Sequence, residues 1–333
     1  MVSPPLTFAL AMPIGPSADG HPLLTAALRS IAAQGERVQL AVLDASGNAE
    51  TAATLDRYSG LISHRRTGPD GGQAAAIQEG WDRLEGDVYG WLNADDLLYP
   101  DALAVAARHF EARPDASAVT GQSLFFDFDG ASGAYTFTGL HPEVRAPDDA
   151  LFRTNTISQP STFVRRRALE AVGWLDTGLH YTMDWDLWVR LHAAGLAFVY
   201  EPSVLSAVLM TPGTKTSRFN SGRRREIGAL VAEHAGWLAA QKSLVAFWLT
   251  HRAEAEAGRG VFTALRDGLQ RRGGGGAREG ANGGSETWPL FHFGDGPRRS
   301  LSRGGGPVEA VDVAPGVPVA VEVAAGQTVR LAP

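Results

Sequence analysis

The residues best suited to bind a metal ion or a substrate lie at the end of one apolar run, Val88 to Leu98, which reads VYGWLNADDLL. Apolar residues lead directly into Asn93, Asp95 and Asp96, so the run predicts a strand that delivers oxygen ligands to one edge of a sheet. Mg²⁺ and Mn²⁺ prefer such oxygens, and Mg²⁺ usually takes one or two carboxylates together with the phosphates of its substrate. The segment therefore predicts a divalent-cation site.

The same acidic residues have a simpler structural interpretation, as caps of the helix that follows. A carboxylate before a helix accepts hydrogen bonds from its first free N–H groups, and Pro100 suits a first helical turn. Asp96 or Asp101 would then begin a helix that ends near Phe110. This segment alone leaves both interpretations open.

The surrounding elements predict a mostly parallel sheet with helices on its faces. Up to residue 110, strand-like and helix-like segments alternate, which is typical of α/β proteins. The expected strands cover 6–12, 38–43, 61–64 and 88–92, with a last short one at 197–200, and the expected helices cover 22–34, 49–58 and 73–84. Ligands in open α/β sheets bind outside the carboxyl ends of the strands, where Asp44, Asp70 and Asp95 are expected. Three carboxylates along one edge favour a binding site over three unrelated caps.

A second acidic pair, Asp184 and Asp186, begins the segment MDWDLWVRLHAAG. The segment predicts a helix that ends at Gly195, and the helix dipole favours carboxylates in its first turn. A general base must lie within hydrogen-bond reach of the proton that it removes, and an aspartate fixed on a buried helix end meets this need. Asp184 is therefore a candidate base, with helix stabilisation as the alternative.

Composition and charge narrow the classes of function. The chain has 333 residues and no cysteine, so any metal is bound by oxygens or by histidines. A net charge of −6 disfavours a nucleic-acid partner, because that affinity needs clustered Lys and Arg. The N-terminus lacks the basic region of a signal peptide. No apolar run reaches the roughly 18 residues that span a bilayer, so we expect a cytoplasmic protein.

Later segments predict appendages to a first domain at 1–225. Residues 226–270 are expected to form a helical extension, 271–284 a Gly-rich linker, and 285–333 a β-rich tail of unknown role. The helical pattern from Arg225 to Leu249 includes several apolar residues, namely Trp237, Leu238, Val245, Phe247 and Trp248. Two interpretations stay open, a peripheral contact with the inner face of the cytoplasmic membrane and packing on the protein core.

The order of these motifs resembles the inverting family 2 glycosyltransferases of the GT-A fold, especially bacterial members that build polysaccharides. The matching pieces lie between about 6 and 220 and read LRSIAAQ, VLDASGNAET, GPDGGQAAAIQEGW, YGWLNADDLLYPDAL, ISQPSTFVRRRALEAVGWLDTGLHYTMDWDLWVRLHAAG and TKT. The resemblance implies an α/β nucleotide-binding sheet, a C-terminal helical segment and a small β-rich tail. It implies a hexosyltransferase that moves a sugar from a nucleotide donor, UDP-linked by preference, to a hydroxyl of a glycan or lipid-linked acceptor.

The resemblance also implies roles for individual residues. Asp184 matches the general base of a single inverting displacement, with Asp186 beside it. Asp95, followed by Asp96, matches the metal position of the family's D-x-D motif, so Mg²⁺ or Mn²⁺ is the implied cofactor. The residues implied in binding the nucleotide sugar are Pro13, Gly15, Asp44, Asp70, Gly72, Gln73, Asn93, Gln159 and Lys215.

Four positions depart from the family's pattern. Met183 stands where a Glu is common, Ala75 where an Asp is common, Asn93 in place of the first D-x-D acid, and Thr211 in place of a metal-binding His. Fewer anionic ligands imply a metal that binds weakly or only with the nucleotide. A non-catalytic homologue that binds a sugar nucleotide or glycan is therefore the first alternative. A sugar-nucleotide pyrophosphorylase is a weaker one, because the loop AMPIGPSADGHP lacks basic residues.

Overall fold

The computed structural model describes residues 5–17, 20–35, 37–210, 220–257, 285–296, 298–303, 311–324 and 327–332. The chain divides into two compact units. The first contains 1–123, 143–151 and 155–208, and the second contains 124–142, 152–154 and 209–333. Residues 124–142, which the sequence analysis assigns to the first domain, thus lie in one unit with the C-terminal tail.

The secondary structure follows the expected alternation through the first half of the chain. The strands are β1 (Phe8–Ile14), β2 (Val38–Asp44), β3 (His64–Thr67), β4 (Val88–Trp91), β5 (Leu97–Leu98), β6 (Ala118–Asp129), β7 (Ala134–Leu140), β8 (Thr162–Arg165), β9 (Phe198–Leu209), β10 (Ser285–Leu290), β11 (Arg298–Arg303), β12 (Asp312–Val313), β13 (Val319–Ala324) and β14 (Thr328–Ala332). The helices are α1 (Leu24–Ala32), α2 (Ala49–Arg57), α3 (Gln73–Asp82), α4 (Ala102–Ala112), α5 (Arg166–Val172), α6 (Met183–Ala193), α7 (Ser221–Ala235) and α8 (Trp237–Ala257).

Strand β1 is the centre of the first unit's sheet. It pairs in parallel with β2 and β4, and β2 pairs in parallel with β3. Antiparallel pairs continue the sheet from β4 to β8 and from β8 to residues Ala118–Thr120 of β6, while β5 pairs with β9. All seven residues of β1 are buried, as expected of a parallel strand that is covered on both faces. The predicted parallel sheet with helices is confirmed for β1–β4, and the antiparallel pairs make the sheet as a whole mixed.

Close helix packing brings α3 onto this sheet. A Cβ atom added to Gly80 would lie 2.7 Å from Leu43 Cδ2 and 3.1 Å from Ala11 Cβ. Glycine at this position therefore lets α3 approach β1 and β2 more closely than a larger residue would allow. The N-terminus of α3 is the part of the helix that carries candidate site residues.

Two expected strands differ in extent from those observed. The third strand begins at His64 rather than Leu61, because 59–62 form backbone turns that close α2. The strand expected at 197–200 extends to Leu209, and its second half pairs with β5. Pro202 lies in an exposed part of β9, where a missing backbone donor is tolerated.

The capping interpretation of the acidic segment is wrong. Helix α4 begins at Ala102, and Asp101 lies at its N-cap position without a side-chain capping hydrogen bond. The carboxylate of Asp96 instead accepts a hydrogen bond from the side chain of Asn93. By contrast, the glycine expected after α6 is present, since Gly195 has φ of +68°.

The second unit combines a hairpin, the tail and two helices. Residues Leu124–Asp129 of β6 pair with β7, and β7 pairs with β14 at Phe137 and Val329. Strand β11 joins β14 to β12, and β10 pairs with β13. The single helical pattern expected over 225–249 is wrong, because Gly236 breaks it into α7 and α8 with φ of +87°. Within the described residues, no helix is both long and apolar enough to cross a membrane.

Candidate functional site

The candidate site is built at the carboxyl ends of β1, β2 and β4, as the sequence predicts. Asp44 is the last residue of β2 and is 1% exposed. Its Oδ1 accepts hydrogen bonds from the backbone N–H (2.9 Å) and the hydroxyl (2.6 Å) of Ser46. These bonds fix the carboxylate at the sheet edge and shape the turn into α2.

Pro13, near the end of β1, and Gly15, in the loop after it, are two of the residues implied in nucleotide binding. Pro13 is buried within β1, whereas Gly15 is exposed at the edge. The carbonyl oxygen of Gly15 lies 3.0 Å from Nε2 of His21, a distance at which the ring can donate a hydrogen bond. His21 therefore closes this loop from its far side.

The loop before α3 is fixed by Asp70. Its Oδ1 accepts a 2.9 Å hydrogen bond from the backbone N–H of Gly72, and Gly72 has φ of +106°. Arg66 lies 3.8 Å from Asp70 Oδ2 and makes three hydrogen bonds of 3.1–3.2 Å to Glu79. The predicted Asp-Gly-Gly segment is thus a turn held by charged groups, and it leads directly into Gln73.

A chain of side-chain hydrogen bonds connects α3 to the acidic segment. Gln73 Nε2 donates to Asn93 Oδ1 at 2.8 Å, and Asn93 Nδ2 donates to Asp96 Oδ2 at 3.0 Å. Asp96 is 3% exposed. These two bonds explain why position 93 is an asparagine. Its amide oxygen accepts a hydrogen bond and its amide nitrogen donates one to a buried carboxylate, which an ionised aspartate could not do.

Asp95 has a different environment from Asp96. It is partly exposed, and burial raises the pKa of its carboxyl above the usual value. A hydrogen bond from its own backbone and the electrostatic interaction with His21 oppose that rise in pKa. The carboxylate is thus a partly desolvated anion, and any nearby cation would stabilise its charged form.

The donor set fits a loosely held Mg²⁺ or Mn²⁺. The described residues contain no group of three or more His, Cys, Asp or Glu side chains arranged to hold a metal ion. Asp95 offers hard carboxylate oxygens at the sheet edge, and Mg²⁺ is commonly held by one or two carboxylates plus substrate phosphates. Asp96, the second predicted ligand, directs Oδ2 toward Asn93.

Helix α6 presents the two carboxylates predicted as catalytic. Asp184 Oδ2 accepts a 3.2 Å hydrogen bond from Asn155 Nδ2. Asp186 Oδ2 accepts a 2.8 Å bond from Arg190 Nε, and Arg190 also donates to the carbonyl of Trp174. Arg190 thus gives Asp186 a structural partner on the same helix.

Two contacts bring α6 next to the sheet edge. The indole rings of Trp91 on β4 and Trp188 on α6 are stacked, with centroids 5.9 Å apart and planes 15° apart. A Cβ on Gly72 would lie 3.4 Å from Nδ1 of His180, which precedes α6. The helix that carries Asp184 is therefore held near both the acidic segment and the loop before α3.

Gln159 is fixed at the same edge. Its Nε2 donates a 2.7 Å hydrogen bond to the carbonyl oxygen of Trp91. It begins a short 3₁₀ turn, Gln159–Ser161, and a buried cluster of hydroxyl groups supports that turn. The members of this cluster are Ser123, Ser158, Ser161 and Ser206, with oxygen separations of 2.5–2.9 Å.

Sequence reasoning missed three residues of the candidate site, and one residue that it predicted lies outside the described part of the chain. His21 had a weak signal, as a polar residue in the loop after β1, whereas Asn155 and His180 had none because their roles depend on tertiary contacts. Lys215 lies outside the described residues, as does Thr211. The other predicted residues all lie at the strand ends or on the helix ends that face them.

Part of the chain is similar to a known protein family. The model of the family described as Glycosyl transferase family 2 matches residues 17–173. The matched range includes Asp44, Asp95 and Gln159 but ends before Asp184.

Two curated relatives share part of their length with this chain. The O-antigen biosynthesis protein RfbC of Myxococcus xanthus is 34% identical over 137 residues, which are 40% of this chain and 10% of that protein. The beta-monoglucosyldiacylglycerol synthase of a Synechocystis species is 28% identical over 169 residues, which are 47% of this chain and 34% of that protein. The chain thus spans about a third or less of the length of both relatives.

Solved structures show the same fold at low sequence identity. S. aureus TarS 1–349 in complex with UDP-GlcNAc superposes with a TM-score of 0.51 and 13% identity, covering 74% of this chain and 72% of that one. The mannosyltransferase PcManGT from Pyrobaculum calidifontis, in complex with GDP-Man and Mn²⁺, gives a TM-score of 0.53 and 17% identity, covering 80% of each chain.

Proposed function

We propose that this chain is a family 2 glycosyltransferase that moves a sugar from a nucleotide-diphosphate donor to a hydroxyl group of an acceptor. Residues 17–173 match the model of that family, and the chain shares the fold of a mannosyltransferase. The observation that carries the proposal is the assembly at one sheet edge. There Asp95 adjoins the hydrogen-bonded chain of Gln73, Asn93 and Asp96. The stacking of Trp91 on Trp188 holds α6, the helix that carries Asp184, against β4. Carboxylates that can hold a cation for the donor's diphosphate and a carboxylate base are the two parts that such a transfer needs.

We propose that the donor's nucleotide lies across the ends of β1, β2 and β4. Asp44 would accept hydrogen bonds from a base or ribose, while Pro13 and Gly15 would form the floor of that region. The turn at Asp70 and Gly72 would bound it on the other side. Lys215, outside the described residues, stays a predicted contact to the diphosphate. UDP is the nucleotide we expect, and the UDP-GlcNAc complex of TarS supports that choice.

The proposed chemistry is a single displacement with inversion at the anomeric carbon. Asp184 would remove the proton of the acceptor hydroxyl as that oxygen attacks, and the bond to the nucleoside diphosphate breaks. A divalent cation bound at Asp95, with Asp96 as its second predicted ligand, would offset the negative charge of the leaving diphosphate. Asn155 would orient Asp184, Gln159 would lie near the donor sugar, and Asp186 would hold α6 through Arg190.

The proposed acceptor is a glycan or a lipid-linked sugar. One curated relative is named for O-antigen biosynthesis and the other as a monoglucosyldiacylglycerol synthase, which supports acceptors of this kind. A cytoplasmic location stays a prediction. The absence of a first D-x-D acid at Asn93 favours one alternative function, binding of a sugar nucleotide without turnover.

The experiment that tests the proposal compares Asp184→Asn with wild type. We expect sugar transfer, measured as acceptor-dependent UDP release across a panel of donors, to fall by about 10²–10⁴-fold, the usual contribution of a general base. Binding of UDP in calorimetry should stay within about twofold. Asp101→Asn is the matched control, since Asp101 is exposed and makes no capping bond.

Different outcomes separate the alternatives. Wild-type protein that binds a donor but releases no UDP supports the non-catalytic homologue. Full activity in Asp184→Asn would show that the base is another group, and Asp186→Asn would then be the next variant. Loss of activity in Asp101→Asn would mean that the assay reports folding rather than chemistry.

A further inference from the structure

An exposed apolar surface on α8 is not used by the proposed reaction. Five large apolar side chains of this helix are between 43% and 68% exposed. They form what is called here the apolar stripe, and its members are Trp237, Leu238, Val245, Trp248 and Leu249. Contiguous apolar surface of this kind is uncommon on proteins and marks sites of association.

The apolar stripe occupies one side of the helix. At 3.6 residues per turn, its five positions fall within an arc of about 120°. Residues Ala240, Ser243 and Leu244 fall outside that arc and are the ones that pack inward. Ser243 donates a hydrogen bond to the carbonyl of Arg153, and Leu244 lies 3.3 Å from the position of a Cβ on Gly228. Helix α8 therefore packs through one side and presents the apolar stripe on another.

Basic residues lie next to one end of the apolar stripe. The contact between Gly228 and Leu244 sets an antiparallel pairing of α7 and α8 about the break at Gly236. In that register Arg223–Arg225, at the start of α7, lie at the level of Trp248 and Leu249. Lys242 is exposed within α8 itself. The net charge over 221–249 is +2, in a chain whose net charge is −6.

We propose that the α7–α8 hairpin docks on an anionic membrane surface, with the apolar stripe entering the boundary between headgroups and acyl chains. Helix α8 is not apolar enough to cross a bilayer, but it has tryptophans and leucines on one side. Such a helix suits the interface between headgroups and acyl chains. Arginines at one end supply attraction to anionic headgroups, at about fivefold in affinity for each basic residue near the surface. The apolar side chains and the basic residues together would bind such a surface more tightly than either feature alone.

A flotation assay tests the docking without reference to sugar transfer. Full-length protein is mixed with phosphatidylglycerol-containing vesicles or with phosphatidylcholine vesicles. We expect binding to the anionic vesicles, and a loss of more than tenfold in the triple variant Leu238→Gln, Val245→Gln and Leu249→Gln. Val317→Gln is its control, because Val317 is an exposed apolar residue in the tail. The control should bind like wild type.

A second pair of variants tests the charge component. Arg225→Glu with Lys242→Glu should weaken binding to anionic vesicles by about 25-fold or more, and high salt should weaken wild-type binding similarly. Arg83→Glu with Arg108→Glu changes the net charge equally at two exposed positions outside the hairpin, and it should lower binding much less. Thermal unfolding of every variant checks that each is folded.

Three outcomes would overturn the proposal. The first is wild-type protein that stays unbound to anionic vesicles. The second is equal binding by wild type and by both sets of hairpin variants. The third is a wild-type dimer that becomes a monomer in the triple variant without vesicle binding, which would show that a second copy covers the apolar stripe. Sugar transfer to a water-soluble acceptor should be the same in the hairpin variants as in wild type, so these outcomes do not bear on the proposed reaction.

Discussion

Replacing Asn93 by Asp restores the first acid of a D-x-D motif, and we expect it to destabilise the metal-free protein. The amide Nδ2 donates to Asp96 Oδ2 at 3.0 Å, and Asp96 is buried. An aspartate at 93 would place a carboxylate oxygen where that donor now lies. The substitution therefore removes a hydrogen bond to a charged group, worth about 1.5–3 kcal/mol, and adds like-charge repulsion.

The structure gives the size of the repulsion. Two charges 3.0 Å apart repel by about 5 kcal/mol at an effective dielectric constant of about 20. Asn93 is partly exposed, so solvent and side-chain rearrangement reduce this value. We expect Asn93→Asp to lower the free energy of unfolding by about 2–4 kcal/mol at pH 8. This total is smaller than the sum of the lost hydrogen bond and the calculated repulsion, because the two carboxylates can move apart.

The loss should depend on pH with a definite sign. Repulsion raises the pKa of one carboxyl of the pair in the folded protein above its unfolded value. The folded variant then holds more protons than the unfolded chain between that unfolded value, about 4, and the raised pKa, so its stability falls as pH rises through this window. A shared proton should recover much of the loss at pH 5. Mn²⁺ should recover part of it at pH 8, because a cation neutralises the pair.

Urea unfolding followed by tryptophan fluorescence at pH 5 and pH 8, with and without Mn²⁺, measures these effects. Asn93→Ala is the control, since it removes the donor without adding a charge and should show the smaller dependence on pH. Our reasoning is refuted if Asn93→Asp is as stable as wild type at pH 8 without metal. It is also refuted if the loss is equal at the two pH values.

Two further predictions concern stability. Burial raises the pKa of Asp95, so its charged form destabilises the fold as pH rises above about 4. Asp95→Asn should therefore raise the free energy of unfolding of the metal-free protein at neutral pH. The same variant should abolish the Mn²⁺-dependent tightening of UDP binding in calorimetry. Unchanged calorimetric traces with and without Mn²⁺ in wild type would contradict the metal assignment. Gly80→Ala should cost about 1–3 kcal/mol in urea unfolding, because its Cβ would meet Leu43 and Ala11. Gly60→Ala, which meets nothing within 4 Å, should change stability little.

The first half of the fold could be predicted because its signals are local. Strands β1, β2 and β4 are short apolar runs, and the helices between them have helical spacing of apolar residues. The strand ends then placed Asp44 and Asp95 at one edge by the general rule for α/β sheets. Nothing beyond the order of segments was needed for that part of the site.

The remainder depends on contacts between distant residues. The pairing of β7 with β14, the orientation of Asn155 toward Asp184 and the stacking of Trp91 on Trp188 leave no periodic signal in the sequence. The break between α7 and α8 had a visible signal in Gly236, but a single glycine within an apolar pattern is often tolerated in a helix. The interpretation of Asp96 as a cap failed because its side-chain partner is Asn93 rather than a helix end.

The pairing of β7 with β14 also bears on the order of events during synthesis. Arg330 reaches back to Ser132 across 198 residues of chain, with a 3.0 Å hydrogen bond between their side chains. At roughly 5–20 residues per second, a ribosome needs roughly 10–40 s to make that distance. During this interval the β6–β7 hairpin exists without its outer strand, and β7 has an unpaired edge. The nascent chain should then be most prone to edge-to-edge aggregation. A folding defect of the second unit would first be detected as increased chaperone binding during this interval.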